Sequence, residues 1–403
     1  MSTRQPREAD YATPPDELFE GPLGRESGDL TEDVAERGLE MVRNRRRLAG
    51  LLAAVVLMVV AIYIVLPKVA GLGDTVSRIG DATWYWIPVA CAFNVVSFIA
   101  YTALFRSVMA ARAGDDDQIK RRLDTRASYE ITLAGFGATI LFSAAGAGGI
   151  ALTYWALRKA GMERWRTACR MVAFLVLLYS VYLLSLVTFG VLLRTHVLSG
   201  EAPIAGTIIP SAIAAGAFLL IALTALIPGD VERRIVDIGE RSSRLRRLAD
   251  TLAKGPARVA TGVRTAAAHV RHPVDSMGTI LGAVGWWAGN IGVLWCCFQA
   301  FDVHVPIAVL VQGYFLGMVA NLAPSPAAGV GTVDAGLIGA FVIFGIDAHT
   351  VFPAILLFRF VGFWLPIPVG IWAFLQLRKR THRWTEEDRG ATIKSEVKAA
   401  EAR

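Results

Sequence analysis

The sequence predicts an all-α polytopic membrane protein, with about six full spans and two broken, re-entrant helical hairpins arranged as an inverted repeat. Three observations lead there. Of 403 residues, 54% are hydrophobic and only 19% charged, with a mean hydropathy of +0.47, too apolar for a soluble chain. The apolar residues are gathered into long uncharged runs. Two of these runs are broken by glycine or proline at hydrocarbon depth, which a bilayer permits only where protein or a water-filled cavity shields the backbone. The clearer case is Gly317 to Arg359, broken by Pro324 and Pro326, loosened by Gly329 and Gly331, and carrying Asp334 and Arg359. It reads as the wall of a pathway.

In chain order, residues 1–42 hold 4 Arg against 11 Asp or Glu, rich in Pro and Gly and without apolar periodicity. A disordered acidic cytoplasmic tail is expected there, and its length and charge argue against a cleavable signal peptide. The whole chain carries +7, so the remainder is strongly basic. Arg43, Arg45, Arg46 and Arg47 flank the 19-residue run Leu48 to Leu66, a first span entered from the cytoplasm. Trp84 to Met109 is a second, entered through the interfacial aromatics Trp84, Tyr85 and Trp86. The following loop, Arg112 to Ser128, contains Asp115, Asp116 and Asp117 beside Lys120, Arg121, Arg122 and Arg126. An acid run can serve a metal-dependent transferase, but with no further ligands nearby a solvated charge run is the ordinary reading.

Tyr129 to Ala160 is interrupted by Ser143 to Gly149 and ends among Arg158, Lys159, Arg164 and Arg166. As a simple crossing it would put the loop 229–276, with 10 Arg or Lys against 6 Asp or Glu, outside the cell. The positive-inside rule disfavours that, so Tyr129 to Ala160 is expected to enter and leave on the cytoplasmic side. Thr167 to Leu193 then goes out and Pro203 to Ile227 returns. Met277 to Ala300 goes out again, and Val351 to Leu377 comes in ahead of Arg378, Lys379 and Arg380. Between them, the arms Ile307 to Leu322 and Val333 to Ile346 have 16 and 14 residues. As helix they reach roughly 24 and 21 Å, short of a crossing. They form a second hairpin, from the outer face.

Span, hairpin, span thus occurs twice, at about 84–193 and 277–377, with opposite orientation, the plan of many secondary transporters. Ala144 to Gly148 (AAGAG) and Ala327 to Gly331 (AAGVG) repeat at an offset of 183 residues, each at the break of a hairpin. The competing reading is a helical bundle whose glycines only permit close packing.

The segment Asn321 to Asp334 (NLAPSPAAGVGTVD), followed by Gly345 and by Arg359, resembles the flippase-like membrane domain of lysylphosphatidylglycerol synthases and the stand-alone membrane proteins that share it. The likeness covers roughly Leu48 to Arg380. It implies translocation of a phospholipid, typically aminoacylated phosphatidylglycerol, from the inner to the outer leaflet. Two departures stand out: the acid after the Gly pair is Asp334 where the family usually has Glu, and only Arg378 to Arg403 follows the last span. The aminoacyl-transferase reaction of the full-length enzymes is therefore not expected, nor any other catalysis.

For the lipid pathway the residues singled out are Asn321, Pro324, Pro326, Gly329, Gly331, Asp334 and Arg359 in the second repeat. In the first they are Gly146, Gly148, Glu130, Arg158 and Arg170. Half-helix N-termini offer free N–H groups to a phosphate, and glycines let it come close. An Arg near mid-bilayer costs ~2.5 to 3.5 kcal/mol even on the lower insertion scales, so Arg359 needs a partner, and Asp334 is the nearest acid entering from the same face. That pair is either permanent and structural or open to exchange with a lipid phosphate. The repeat offset sets Ala151 and Val176, not charges, against Asp334 and Arg359. Asn94, Asn290 and Gln299 either line the cavity or hydrogen-bond between helices.

The loop Val231 to His272 has Ile235, Ile238, Leu245, Leu248 and Leu252 among arginines, a pattern for an amphipathic helix on an anionic leaflet or in solvent. His269 and His272 have no companion ligands, and Cys91, Cys169, Cys296 and Cys297 lack metal or disulfide spacing, so no metal is expected. No nucleotide-binding loop is present, and no cofactor or nucleic acid is expected. The expected partners are membrane lipid headgroups and an envelope-synthesis enzyme, and the expected location is the bacterial inner membrane, both termini cytoplasmic. The alternative function is a non-transporting subunit that anchors or regulates such an enzyme, with the acidic tail as docking arm. A transferase acting on polyprenyl-linked sugars has only Asp115 to Asp117 in its favour.

Overall fold

The computed structural model describes residues 82–110, 117–141, 147–224, 262–267, 273–322, 329 and 331–401. The run Leu48 to Leu66, the acidic tail and most of the basic loop 229–276 lie outside them, apart from a helical turn at 262–267 and the start of the next helix. Every regular element among the described residues is helical: α1 Trp86–Met109, α2 Asp117–Arg122, α3 Thr125–Leu141, α4 Ala147–Lys159, α5 Arg164–Arg194, α6 Ile208–Thr224, α7 Pro273–Ala300, α8 Ile307–Met318, α9 Thr332–Ile343, α10 Ala348–Arg359 and α11 Pro366–Glu401. A 3-10 turn, Val319–Leu322, extends α8, and a π-turn, Phe360–Trp364, joins α10 to α11.

Among the described residues, four helical stretches are long and apolar enough to cross a bilayer: Trp86–Met109, Arg164–Arg194, Met277–Ala300 and the continuous Ala348–Glu401. Ile208–Thr224, Ile307–Asn321 and Thr332–Ile343 are shorter apolar helices. Outward-facing side chains on α1 (Val95, Val96, Ile99), α6 (Ile213, Leu219, Leu220), α7 (Leu281, Val284) and α11 (Val369, Trp372) are exposed and apolar. In water these would be a large adhesive surface; in a bilayer they are the lipid-facing coat. The chain is a multi-pass membrane protein.

Helices α1 and α7 pack along their length because one face of α7 is nearly bare. A Cβ at Gly282 would meet the Leu104 amide nitrogen at 2.7 Å, and one at Gly289 would meet Ser97 Oγ at 2.3 Å. With lipid tails as apolar as leucine, such backbone approach is what drives helices together in membranes. Asn290 donates to Trp286 O at 2.8 Å and to Ser97 Oγ at 3.3 Å across the same seam. The bond to Ser97 joins the two helices. Aromatic rings fill the space toward α5 and α8: Trp287 Nε1 donates to Leu178 O at 2.8 Å, and Tyr182 Oη to Phe315 O at 2.6 Å. Cys169, Cys296 and Cys297 are buried.

Two antiparallel hairpins sit on this frame. In α3–α4, Gly149 packs so closely on α3 that a Cβ would lie 2.5 Å from Gly135 O. In α8–α9, Gly317 stands against Leu337 and Gly336 against Gly317 O. The arms of 17 and 13, and of 12 and 12, residues are joined where the sequence places its breaks. The expected span Pro203 to Ile227 is helical only from Ile208 among the described residues, because the chain first turns at Pro203, whose carbonyl accepts from Gly206 and Thr207.

The end of the chain differs most from the sequence reading. Helix α11 passes through Arg378, Lys379 and Arg380 and continues to Glu401. Its buried face, Gly370, Ala373, Phe374, Leu377, Thr381 and Trp384, keeps helical spacing across the charge cluster. It lies antiparallel to α2–α3. Gly137 and Gly370 meet backbone to backbone, and farther along Arg122, itself buried, donates to Asp388 Oδ1 and Oδ2 at 2.6 and 3.1 Å and to Trp384 O at 3.3 Å. These hydrogen bonds hold the Asp388 carboxyl below its ordinary range, against a smaller opposing effect of burial. A depressed folded pKa contributes stability that is complete above the unfolded value and lost as pH falls through the folded one. Asp388→Asn is therefore expected to lower the melting temperature of the detergent-solubilised protein at pH 7. The gap from wild type should close only below about pH 4; equal melting at pH 7 would show that the clamp contributes nothing.

Candidate functional site

The break between α8 and α9 is organised by two glycines in left-handed backbone, Gly329 at φ +88° and Gly331 at φ +86°, a region closed to most side-chain-bearing residues. The second ends the break and starts α9, whose third residue is Asp334. The Asp334 side chain turns back so that Oδ2 accepts from Gly331 N–H at 2.9 Å, satisfying an amide that the helix start leaves without an intrahelical partner. The positive end of the α9 dipole favours the ionised carboxylate there.

Arg359, the last residue of α10, reaches this carboxylate. Its Nε donates to Asp334 Oδ1 at 2.5 Å and its Nη2 to Gly329 O at 2.6 Å. The guanidinium lies 4.7 Å from the centre of the Phe363 ring, a cation–π contact. Only 6% of Arg359 and 7% of Asp334 is exposed. The pair therefore neutralises two charges in a shielded place, and these two hydrogen bonds go to Asp334 at the start of α9 and to Gly329 in the break. Asn321, in the 3-10 turn, is exposed, with Oδ1 within 3.0 Å of where a Cβ on Gly329 would sit.

A π-turn follows Arg359, with Leu365 N–H bonded to Phe360 O, and Phe363, four residues beyond Arg359, lies within it. A widened turn also misdirects carbonyls, and the Val361 carbonyl is met by the buried Asn94 of α1, whose Nδ2 donates at 2.6 Å. Asn94 thus braces the turn that carries Arg359.

The first-repeat residues are not assembled into a matching cluster. Glu130, on α3, is 2% exposed and bonded to Arg380 and Arg126. Arg158 donates to Met162 O at 2.5 Å, its Nε left without a partner. Arg170 donates to Met109 O. Gly148 is buried in the first turn of α4. Pro324, Pro326 and Gly146 lie outside the described residues, as do Asp115, Asp116, His269 and His272. Among the described residues no group of three or more His, Cys, Asp or Glu could hold a metal. Four participants escaped the sequence reading: Phe363, Arg380, Arg122 and the buried Gln312, whose Nε2 donates to Gly206 O at 3.0 Å. For Arg380 a signal existed, since it falls on the continuing buried face of α11.

The family description of the lysylphosphatidylglycerol synthase transmembrane region matches residues 48–370, four-fifths of the chain. The chain belongs to this family. A UPF0104 membrane protein of Methanothermobacter thermautotrophicus is 29% identical over 98 residues, which is 24% of this chain and 28% of that relative, so the likeness spans little more than a quarter of its length. No solved structure matches the chain. The matched region takes in α1 through the start of α11, and so both hairpins, Asn94, Asp334 and Arg359.

Replacing Asn94 by Leu removes the donor to Val361 O, and an unmet buried carbonyl costs about 1–3 kcal/mol. The expected outcome is a lower melting temperature together with impaired function of the Arg359 site. A variant with wild-type melting would show that the π-turn stands without Asn94.

Proposed function

We propose that this protein is a phospholipid translocator of the bacterial inner membrane, moving an anionic or aminoacylated lipid between leaflets. The observation that carries the reading is the Asp334–Arg359 pair at a helix break. Arg359 spends its fork on one carboxylate oxygen and one carbonyl, Asp334 Oδ1 and Gly329 O. A phosphodiester offers two oxygens to the same fork, and guanidinium binds phosphate in this two-toothed way. The headgroup would take over both contacts at once.

The arrangement of elements supports the reading. Span, hairpin, span occurs as α1, α3–α4, α5 and again as α7, α8–α9, α10–α11. The charge distribution orients the first hairpin from the cytoplasm and the second from outside, with both chain ends in the cytoplasm. Cysteines introduced at Ala147 and Thr332, beside the two breaks, are expected to react with impermeant reagents from opposite faces of the membrane. Labelling from one face would end the inverted-repeat reading.

The direct test is reconstitution into liposomes with headgroup-labelled phosphatidylglycerol, scored by accessibility to an impermeant quencher. Wild-type protein should redistribute the label. Arg359→Gln should not, although leaving Asp334 buried alone costs about 3–5 kcal/mol of stability. The double variant Asp334→Asn/Arg359→Gln removes that penalty, and it should fold like wild type while remaining inactive. Transport by the double variant would remove the pair from the mechanism.

A second reading, a membrane subunit that anchors or regulates an envelope-synthesis enzyme, is favoured by one feature. The end of α11, from Ala391 to Glu401, is exposed on all sides beyond its last contact with α2. Wild-type liposomes without lipid movement would favour it.

A further inference from the structure

Arg359 and Arg380 stand on one helical rod, α10 to α11, 21 positions apart. At the α-helical rise that is about 31 Å, close to the thickness of the hydrocarbon layer. Each meets a buried carboxylate of one hairpin: Arg359 meets Asp334 of α9, and Arg380 meets Glu130 of α3. The repeat offset pairs neither, because both arginines come from the second half of the chain.

The inner pair is well formed. Arg380 Nε donates to Glu130 Oε2 at 2.8 Å and Nη2 to Glu130 Oε1 at 3.1 Å, a two-toothed contact, with Asp124 3.8 Å from Nη1. Glu130 also accepts from Arg126, whose side chain is 69% exposed. Arg378 and Lys379 adjoin on the same helix. The hydrogen bonds to Glu130 raise the Arg380 pKa further, so its charge persists at any physiological pH. A two-toothed guanidinium at the membrane boundary, held by a carboxylate and ringed by exposed cations, is suited to exchanging that carboxylate for a phosphodiester.

We propose that Arg380 is the inner-leaflet docking site for the phosphodiester of a phospholipid headgroup, and that Glu130 occupies the site until the lipid displaces it. This deepens the translocator reading and rests on it for the lipid's fate, though not for its binding. The carboxylate is a competitor, so removing it must strengthen binding; a merely structural pair would instead be weakened.

The test measures binding of short-chain phosphatidylglycerol to the full-length, detergent-solubilised protein, with inorganic phosphate as the second probe and melting temperature as the check on folding. Glu130→Gln is expected to tighten phosphatidylglycerol binding at least about fivefold. Arg380→Gln is expected to abolish it, and Arg380→Lys, which keeps charge but not the fork, to recover it only in part. Unchanged binding in Arg380→Gln, or no tightening in folded Glu130→Gln, overturns the proposal. So does inorganic phosphate binding as tightly as the lipid, which would make the site one for free phosphate. Should Glu130→Gln fail to fold, Glu130→Ala/Arg126→Ala, which removes both local charges while keeping Arg380, must show the same tightening or the proposal falls. Read beside the liposome assay, the two ideas separate: transport by Arg380→Gln sinks the docking site alone, whereas altered binding without wild-type transport sinks translocation alone.

Discussion

A charge inside a low-dielectric layer must be neutralised where it stands, and the architecture around the second hairpin follows from how Arg359 meets that requirement. Its Nε and Nη2 take Asp334 and Gly329 O, while the Phe363 ring covers its face. Asp334 can be there only because α9 starts at Gly331, and α9 starts there only because two left-handed glycines turn the chain. Phe363 stands four residues beyond Arg359 inside a π-turn, and that turn is braced by Asn94 from the far side of the bundle. One cation thus ties together a break, a helix start, a π-turn and a residue some 265 positions away in sequence.

The same rod carries a second load. Gly137 against Gly370, Glu130 with Arg380, and Arg122 with Asp388 form an antiparallel seam that fastens α2–α3 to α11 from mid-depth outward. Both hairpins therefore hang on α10–α11, one above the π-turn and one below it. A π-turn lacks the regular i to i−4 ladder and is the natural place for such a rod to bend. A bend at Phe360–Trp364 would shift the two hairpins relative to each other beside the Arg359 side chain.

The helices were legible where a simple rule governs them. Span length, glycine breaks and basic flanks locate α1, the α3–α4 and α8–α9 hairpins, α5 and α7 to within a few residues. The need of a buried arginine for an acid points from Arg359 to Asp334. What stayed hidden depends on contacts between distant segments. Arg378 to Arg380 read as the end of a membrane helix because clustered cations usually mark the interface; α11 continues because Thr381 and Trp384 keep its apolar face in register. Asn94 was open between lining a cavity and bonding another helix, and its bond to the Val361 carbonyl takes the second form, although nothing in a sequence announces the π-turn that it serves. Glu130 was grouped with Arg158 and Arg170 by proximity along the chain, whereas its partner is 250 positions away.

The energetics of the outer pair bear on what it is for. A buried ion pair is a weak source of stability, since desolvating two charges uses up most of their attraction, and apolar residues of the same shape do as well or better. Stability alone is thus a weak reason for the pair to be ionic. Each member is also supported independently of the other. If Arg359 lets go, Asp334 keeps the Gly331 amide and the α9 dipole; if Asp334 is displaced, Arg359 keeps the Phe363 face. A permanent strut needs no such provision. An exchangeable one does, because the barrier to swapping a carboxylate for a phosphate is set by how badly each partner fares in the interval when it stands alone.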